Sequence, residues 1–224
     1  MNPNAGIKPV TLEMDAGGHP FVVQTAVLWD ENEVILVDAG LPGQSRLIQE
    51  TLAKEGFPFD KLTKIIITHQ DRDHIGSLHD LAAASGGRIK VLANELTKPI
   101  LQGEAPNRRG ITYPPTPVDM VLRDGDVLPY CGGIRVIFTP GHTPDHMSLY
   151  HEPSKTVIAG DALTSQNGKL MPPDPGFTAD MDTALKSLSK LQSLNIEAVI
   201  TYHGGLCTEN IPERLAEIAG SRHE

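Results

Sequence analysis

Seven imidazole and carboxylate groups stand where apolar runs of the chain end. His69, Asp71, Asp73 and His74 follow the run ending at Thr68, His142 follows the run ending at Phe138, Asp161 follows Ala159, and His203 follows Thr201. Loops at strand ends are where sheet-containing enzymes commonly place reactive groups. Nitrogen and oxygen donors of this kind suit zinc, manganese or iron. Seven donors exceed what one tetrahedral ion needs, whereas two ions ~3.5–4 Å apart that share a carboxylate would use them all. Each residue alone has a plainer reading. A His near a strand end is usually a hydrogen-bonded surface group, and an Asp before a helix is usually a cap, a description that fits Asp73 and His74 ahead of a helix from Ser77. The recurrence at four strand ends favours metal chemistry. No Gly-x-Ser-x-Gly elbow supports a serine nucleophile, and no Gly-rich phosphate loop is present.

The elements that must position these groups are legible in the patterning. Phe21 to Trp29 and Glu33 to Val37 read as strands around an Asp30-Glu31-Asn32 turn, and Asp38-Ala39-Gly40 as the next turn. Residues 44 to 56 have helical spacing, with Leu47, Ile48 and Leu52 on one side. Lys64 to Thr68 is apolar without alternation, as in a strand covered on both faces. A helix over 77–85 and a strand over 88–93 come next. Residues 102–117 and 166–177 carry Pro and Gly without periodicity and read as loops of the length that forms lids or binding walls. Strands over 134–138, 147–151, 156–159 and 197–201 alternate with helices over 179–194 and 212–219. Met181, Leu185, Leu188 and Leu191 share one side of the first of these helices. The class is α/β (or α+β), with sheets covered by helices, and with no linker between the halves the expectation is one domain over 1–224.

The run Thr68-His69-Gln70-Asp71-Arg72-Asp73-His74-Ile75-Gly76 resembles the metallo-β-lactamase fold superfamily. So do Pro140-Gly141-His142-Thr143-Pro144, Gly160-Asp161, Tyr202-His203-Gly204-Gly205 and the early Val37-Asp38-Ala39-Gly40. The resemblance runs from about Phe21 to His203. It implies a four-layer αβ/βα sandwich of two mixed β-sheets flanked by helices, with two divalent ions, zinc first and manganese or iron as alternatives. It implies His69, His142 and Asp71 on one ion, Asp73, His74 and His203 on the other, and Asp161 bridging. Asp38 would support the ligand loops. The chemistry implied is hydrolysis of an ester, lactone or thioester by a metal-bound hydroxide, with Asp73 also shuttling a proton. Asp71 departs from the family pattern, which has His there. A carboxylate at that place removes one net positive charge from the site and is a harder ligand, which tilts preference toward manganese or iron. A glyoxalase II-like role would call for a longer C-terminal region, and β-lactamase activity fits poorly with a cytosolic chain. The same fold can also hold one iron on His69, His142 and Asp161 and oxidise a sulfur substrate, and a non-catalytic metal-binding protein is the third reading.

Composition bounds the rest. The chain has 224 residues, a formal net charge of -9, 9 His and 18 Pro. The negative balance disfavours nucleic acid as a partner, no apolar run approaches a membrane span, and Met1 to Met14 lacks signal-peptide order. The expectation is a cytoplasmic protein with a small-molecule substrate and an oligomeric state the sequence does not give. Cys131 and Cys207 form no Cys-x-x-Cys pair and read as buried core residues. Tyr113, Met171 and Phe177 are candidate apolar contacts for a substrate, and Arg108 and Arg109 candidate anion contacts. His146 reads as a support rather than a ligand. Tyr202 could donate to an oxyanion, but adjacent residues often point apart and its neighbour His203 is the one read as a ligand. His19, His79, His151 and His223 read as incidental.

Overall fold

Period-two alternation opens the chain. In the computed structural model, which describes residues 5–221, β1 (Gly6–Asp15) buries Val10, Leu12 and Met14 and turns Thr11, Glu13 and Asp15 outward. It pairs antiparallel with β2 (Pro20–Trp29) along its whole length. The chain divides into two compact units, one ending at Leu122 and the other starting at Arg123.

In the first unit β2 pairs antiparallel with β3 (Val34–Val37), and Asp30 builds the turn by accepting the Asn32 and Glu33 amides at 2.8 Å. β3, β4 (Lys64–Ile66), β5 (Lys90–Asn94) and β6 (Met120–Leu122) are then parallel neighbours, giving a six-stranded sheet in the order β1 to β6. Parallel neighbours need crossovers. α1 (Ser45–Lys54) makes the first and buries Ile48 and Leu52. α2 (Arg72–Ile75) and α3 (Leu78–Ala84) make the second, and α4 (Lys98–Leu101) begins the third. Ile65, Ile66 and Ile67 are fully buried, as an apolar run without alternation requires. Parallel pairing sets the ends of β3 and β4 side by side, so Asp38 and the segment from Thr68 leave the same edge of the sheet.

The second unit holds β7 (Val127–Leu128), β8 (Ile134–Phe138), β9 (Met147–His151) and β10 (Thr156–Gly160) as an antiparallel run. The short hairpin β11 (Thr164–Gln166) and β12 (Lys169–Met171) comes next, then α5 (Met181–Gln192), β13 (Ala198–Thr201), β14 (Gly205–Cys207) and α6 (Ile211–Gly220). α5 returns the chain so that β13 lies parallel to β10, and β14 closes the sheet antiparallel to β13. The sheet order is β14-β13-β10-β9-β8-β7. Asp180 caps α5 by accepting the Thr183 amide at 2.9 Å. Leu185, Leu188 and Leu191 pack with Leu215 and Ile218 of α6 over Val157, Ala159 and Val199. Burial of each such Leu is worth roughly 1.5–3 kcal/mol.

The expected pair of mixed sheets with covering helices is what the two units contain. Three details differ from the sequence reading. β1 was not expected, because Pro9 and Lys8 mask its alternation. The 166–177 stretch is not all loop: Asn167 and Gly168, both at positive φ, turn the β11–β12 hairpin there. The helix expected from Ser77 is preceded by a separate turn of helix, α2, which carries Asp73 and His74. Among the described residues no helix is long and apolar enough to cross a membrane. His223 lies outside the described residues.

Candidate metal centre

Asp38 is the hub of the first unit. It sits at φ 67, a left-handed conformation that Asp and Asn adopt more readily than other side chains. It is 1% exposed. Its Oδ1 accepts the Thr68 amide at 2.8 Å, and its Oδ2 accepts the Thr68 hydroxyl at 2.8 Å and lies 2.8 Å from Nδ1 of His74. The Thr68 hydroxyl has one proton and gives it to Asp38. It is therefore the acceptor toward Nδ1 of His69, 3.0 Å away. This network assigns the proton of both imidazoles to Nδ1. Nε2 then carries the lone pair on His69 and on His74, the form in which imidazole binds a metal. The two rings lie 3.9 Å apart between centroids.

The backbone around them is fixed by close approach. The Ala39 amide donates to the His74 carbonyl at 2.6 Å, and the Gly76 amide to the Gly40 carbonyl at 2.9 Å. A Cβ on Gly76 would stand 2.2 Å from the backbone nitrogen of Pro42, so only glycine lets the two segments touch. Asp73 lies in the first turn of α2, with Oδ2 3.7 Å from Nε2 of His74.

Asp71 occupies the position where a helix cap would stand, but its side chain makes no capping bond. Its carboxylate instead takes the fork of Arg108: Nε donates to Oδ1 at 2.8 Å and Nη2 donates to Oδ2. Oδ2 also lies 3.8 Å from Nε2 of His69. The Arg108 amide donates to Oε1 of Gln70 at 2.6 Å. The 102–117 loop is thus fastened to the motif run at two consecutive residues. Asn107 shapes the loop by accepting the amides of Arg109 and Ile111 at 3.0 Å. Arg108 contacts the carboxylate of Asp71, while Arg109 is exposed. Tyr113 lines a cavity of about 190 Å³ with Ile75, Leu78, His79 and Leu101. Burial is the largest influence on its phenol and pushes the pKa up.

In the second unit Asp161 comes just after a register shift between Ile158 and Gly160 in the β10–β13 pairing. Such irregularities bend a strand end and re-aim the residues beyond it. Asp161 Oδ2 lies 3.4 Å from Nε2 of His142 and 3.5 Å from Nε2 of His203. The structure therefore gathers two imidazoles around one carboxylate, although the three residues are far apart in sequence. His146 supports them. The Asp161 amide donates to its Nε2 at 3.0 Å, which leaves Nδ1 to donate to the Thr139 hydroxyl at 2.8 Å. Thr139 then donates to Ser148, and Ser148 to the Ala159 carbonyl at 3.2 Å. Nε2 of His146 holds the Asp161 amide and Nδ1 is taken up by Thr139, which fits a support and not a ligand. The Thr201 hydroxyl holds the other end by donating to the His203 carbonyl at 3.1 Å. Tyr202 is buried and meets the His203 ring edge to face. His151 is buried against the Cys131 carbonyl, both cysteines are buried thiols, Phe177 is exposed, and Met171 is half-buried beside Arg214.

His69, Asp71, Asp73 and His74 in the first unit, and His142, Asp161 and His203 in the second, are side chains able to hold a metal ion. Their donor set is nitrogen and carboxylate oxygen throughout, and the two imidazoles fixed by Asp38 are in the ligating tautomer, so these residues fit divalent ions. Sequence reasoning missed Thr68 as the relay from Asp38 to the His69 ring, His74 being held by Asp38 directly. The signal was a hydroxyl at the strand end directly before the first His.

The family model of the metallo-β-lactamase superfamily matches residues 19–203. YobT of Bacillus subtilis (strain 168), an uncharacterized protein, is 32% identical over 204 residues, covering 82% of this chain and 84% of its own. The probable metallo-hydrolase YflN of the same organism is 29% identical over 245 residues, covering 92% and 91%. An atrochrysone carboxyl ACP thioesterase of Aspergillus fumigatus is 26% identical over 216 residues, covering 90% of this chain and 58% of its own. The metallo-β-lactamase family protein TTHA1429 of Thermus thermophilus shares the fold, with a TM-score of 0.72 at 22% identity over 96% of this chain and 78% of its own. The chain belongs to the metallo-β-lactamase superfamily and is an enzyme of that metal-dependent hydrolase type.

Proposed function

We propose that the chain hydrolyses an ester, lactone or thioester carbonyl in a small molecule, using two divalent ions, zinc first. In this reading the two units act as one domain in the cytoplasm. His69, Asp71 and His142 take one ion, Asp73, His74 and His203 the other, and Asp161 serves both. The observation that carries the reading is buried Asp38, which sets the His74 imidazole directly and the His69 imidazole through Thr68 in the metal-binding tautomer. A purely structural histidine pair does not need a buried carboxylate to select one tautomer for both rings. Membership of the superfamily supports the hydrolytic reading, and a relative named as a thioesterase supports the thioester among the three carbonyls.

When bound, the ions would supply Lewis acidity toward the carbonyl and acidify the attacking water. The chain's own residues do the rest. Asp38 and Thr68 hold the rings of His69 and His74 against rotation. His146 holds the backbone of Asp161. Asp73, less buried than the His74 imidazole beside it, moves the proton between water and leaving group.

The test is a stripped protein reloaded with zinc, manganese or iron and assayed on a panel of esters, lactones and thioesters. Hydrolysis that disappears with chelator and returns with metal is the expected result. A loaded protein inert across the panel would overturn the reading. Tight iron with oxygen uptake on glutathione persulfide would replace it with the single-iron, sulfur-oxidising chemistry on His69, His142 and Asp161.

A further inference from the structure

Arg108 is the residue of the first unit that the hydrolytic reading does not absorb. Its guanidinium grips both oxygens of Asp71, in a pair whose side chains are only a fifth and a tenth exposed. The grip is built from two sides, because Gln70 also holds the Arg108 backbone. A bidentate arginine fork fixes the plane of a carboxylate as well as its place. It also leaves lone pairs over, since an ionised carboxylate has about four acceptor sites and the fork uses two. Oδ2 remains on the side of Nε2 of His69.

We propose that Asp71 and Arg108 act as one neutral ligand unit for the ion held by His69, with Arg108 a positioning residue that cancels the charge Asp71 brings. This rests on the metal-binding reading above. Two consequences arise from charge. An aspartate alone would lower the site's positive charge and weaken its pull on an anionic or polarised substrate. With Arg108 in place the local sum is that of a site with a neutral imidazole ligand. Conversely, Arg108 without Asp71 leaves one more positive charge beside the residues that would hold a divalent cation, and the ion is repelled. The two side chains are therefore useful together and harmful apart.

A double-mutant cycle read by metal binding alone tests this. Wild type, Asp71→His, Arg108→Gln and the double variant are each titrated with zinc in competition with a chromophoric chelator. Asp71→His supplies a neutral ligand of good zinc affinity but removes the negative charge that offsets Arg108, and a loss of zinc affinity of at least about tenfold is expected. Adding Arg108→Gln should bring affinity back to within about threefold of wild type, a recovery that repulsion by the uncancelled positive charge requires. If the histidine variant folds poorly, Asp71→Asn, close in shape, takes its place; its amide is a poor zinc ligand, so there Arg108→Gln should regain only the part of the affinity lost to repulsion, and near-ultraviolet circular dichroism reports the fold of every variant. Additive losses, or an Asp71→His protein that binds zinc as tightly as wild type, would overturn the pairing while leaving the hydrolase reading in place. A wild type that binds no zinc, manganese or iron overturns both.

Discussion

The two units support their candidate ligands by different means. In the first, His69 and His74 come from one short run, and a buried carboxylate, Asp38, sorts their rings, His74 directly and His69 through Thr68. In the second, His142, Asp161 and His203 come from three separate strand ends, and support is given to the backbone: His146 holds the Asp161 amide and Thr201 the His203 carbonyl. Threonines at strand ends, Thr68, Thr139 and Thr201, take part in both. Ligands crowded into one run need their rings told apart, so the first unit fixes imidazoles. Ligands brought by separate strands are already apart, so the second unit fixes where each strand end stops.

This contrast can be broken on the first side. Asp38→Asn keeps the shape and tolerates the left-handed backbone, but its amide group confronts donors. We expect the largest effect here: roughly 100-fold weaker zinc binding, in the range for lost support of a ligand histidine, and about 2 kcal/mol or more of lost stability from buried donors left unsatisfied. Zinc competition and urea unfolding read the two separately. Wild-type zinc affinity in this variant would show that Asp38 does not sort the rings.

Gly76→Ala attacks the backbone of the same side. Its methyl would overlap the Pro42 nitrogen, which no rotamer relieves. Destabilisation of about 3 kcal/mol is expected, with metal affinity falling as the His74 segment shifts. An unchanged urea midpoint would mean that the two segments can part without loss.

On the second side, His146→Gln should cost about 1–2 kcal/mol, because the Asp161 amide and Thr139 lose partners. Zinc affinity should drop roughly tenfold, less than for Asp38→Asn. If the two variants lose affinity equally, imidazole sorting and backbone support matter alike, and the distinction between the units falls.

The smallest effect concerns His151, away from the ligands. Burial, the larger influence, pushes its pKa down, and the hydrogen bond with the Cys131 carbonyl partly raises it. The unfolded chain then binds a proton that the native protein resists. Stability should decline as pH falls below about 6.5, the ordinary histidine value, until the native imidazole also protonates. His151→Gln should flatten that part of the profile relative to wild type, measured by urea midpoints from neutral to mildly acid pH.

The sequence by itself determined much of this protein. Apolar runs without alternation located β4 and β10, the 3.6-residue spacing located α1 and α5, and donors at strand ends named every candidate ligand, because those signals are local. The hairpin β11–β12 and the strand β1 were not read from the sequence: Pro and Gly around Asn167-Gly168 look like loop, and Lys8 and Pro9 interrupt the alternation of Val10, Leu12 and Met14. Only the tertiary structure decided what each donor does. Asp71 reads as a cap or a ligand in sequence, and its pairing with Arg108 depends on a loop folding back from far along the chain. The tautomers of His69 and His74 depend on parallel pairing of β3 with β4, which sets Asp38 beside Thr68. Neither spacing nor composition encodes such contacts, since they arise between segments whose separation in sequence carries no periodic signal.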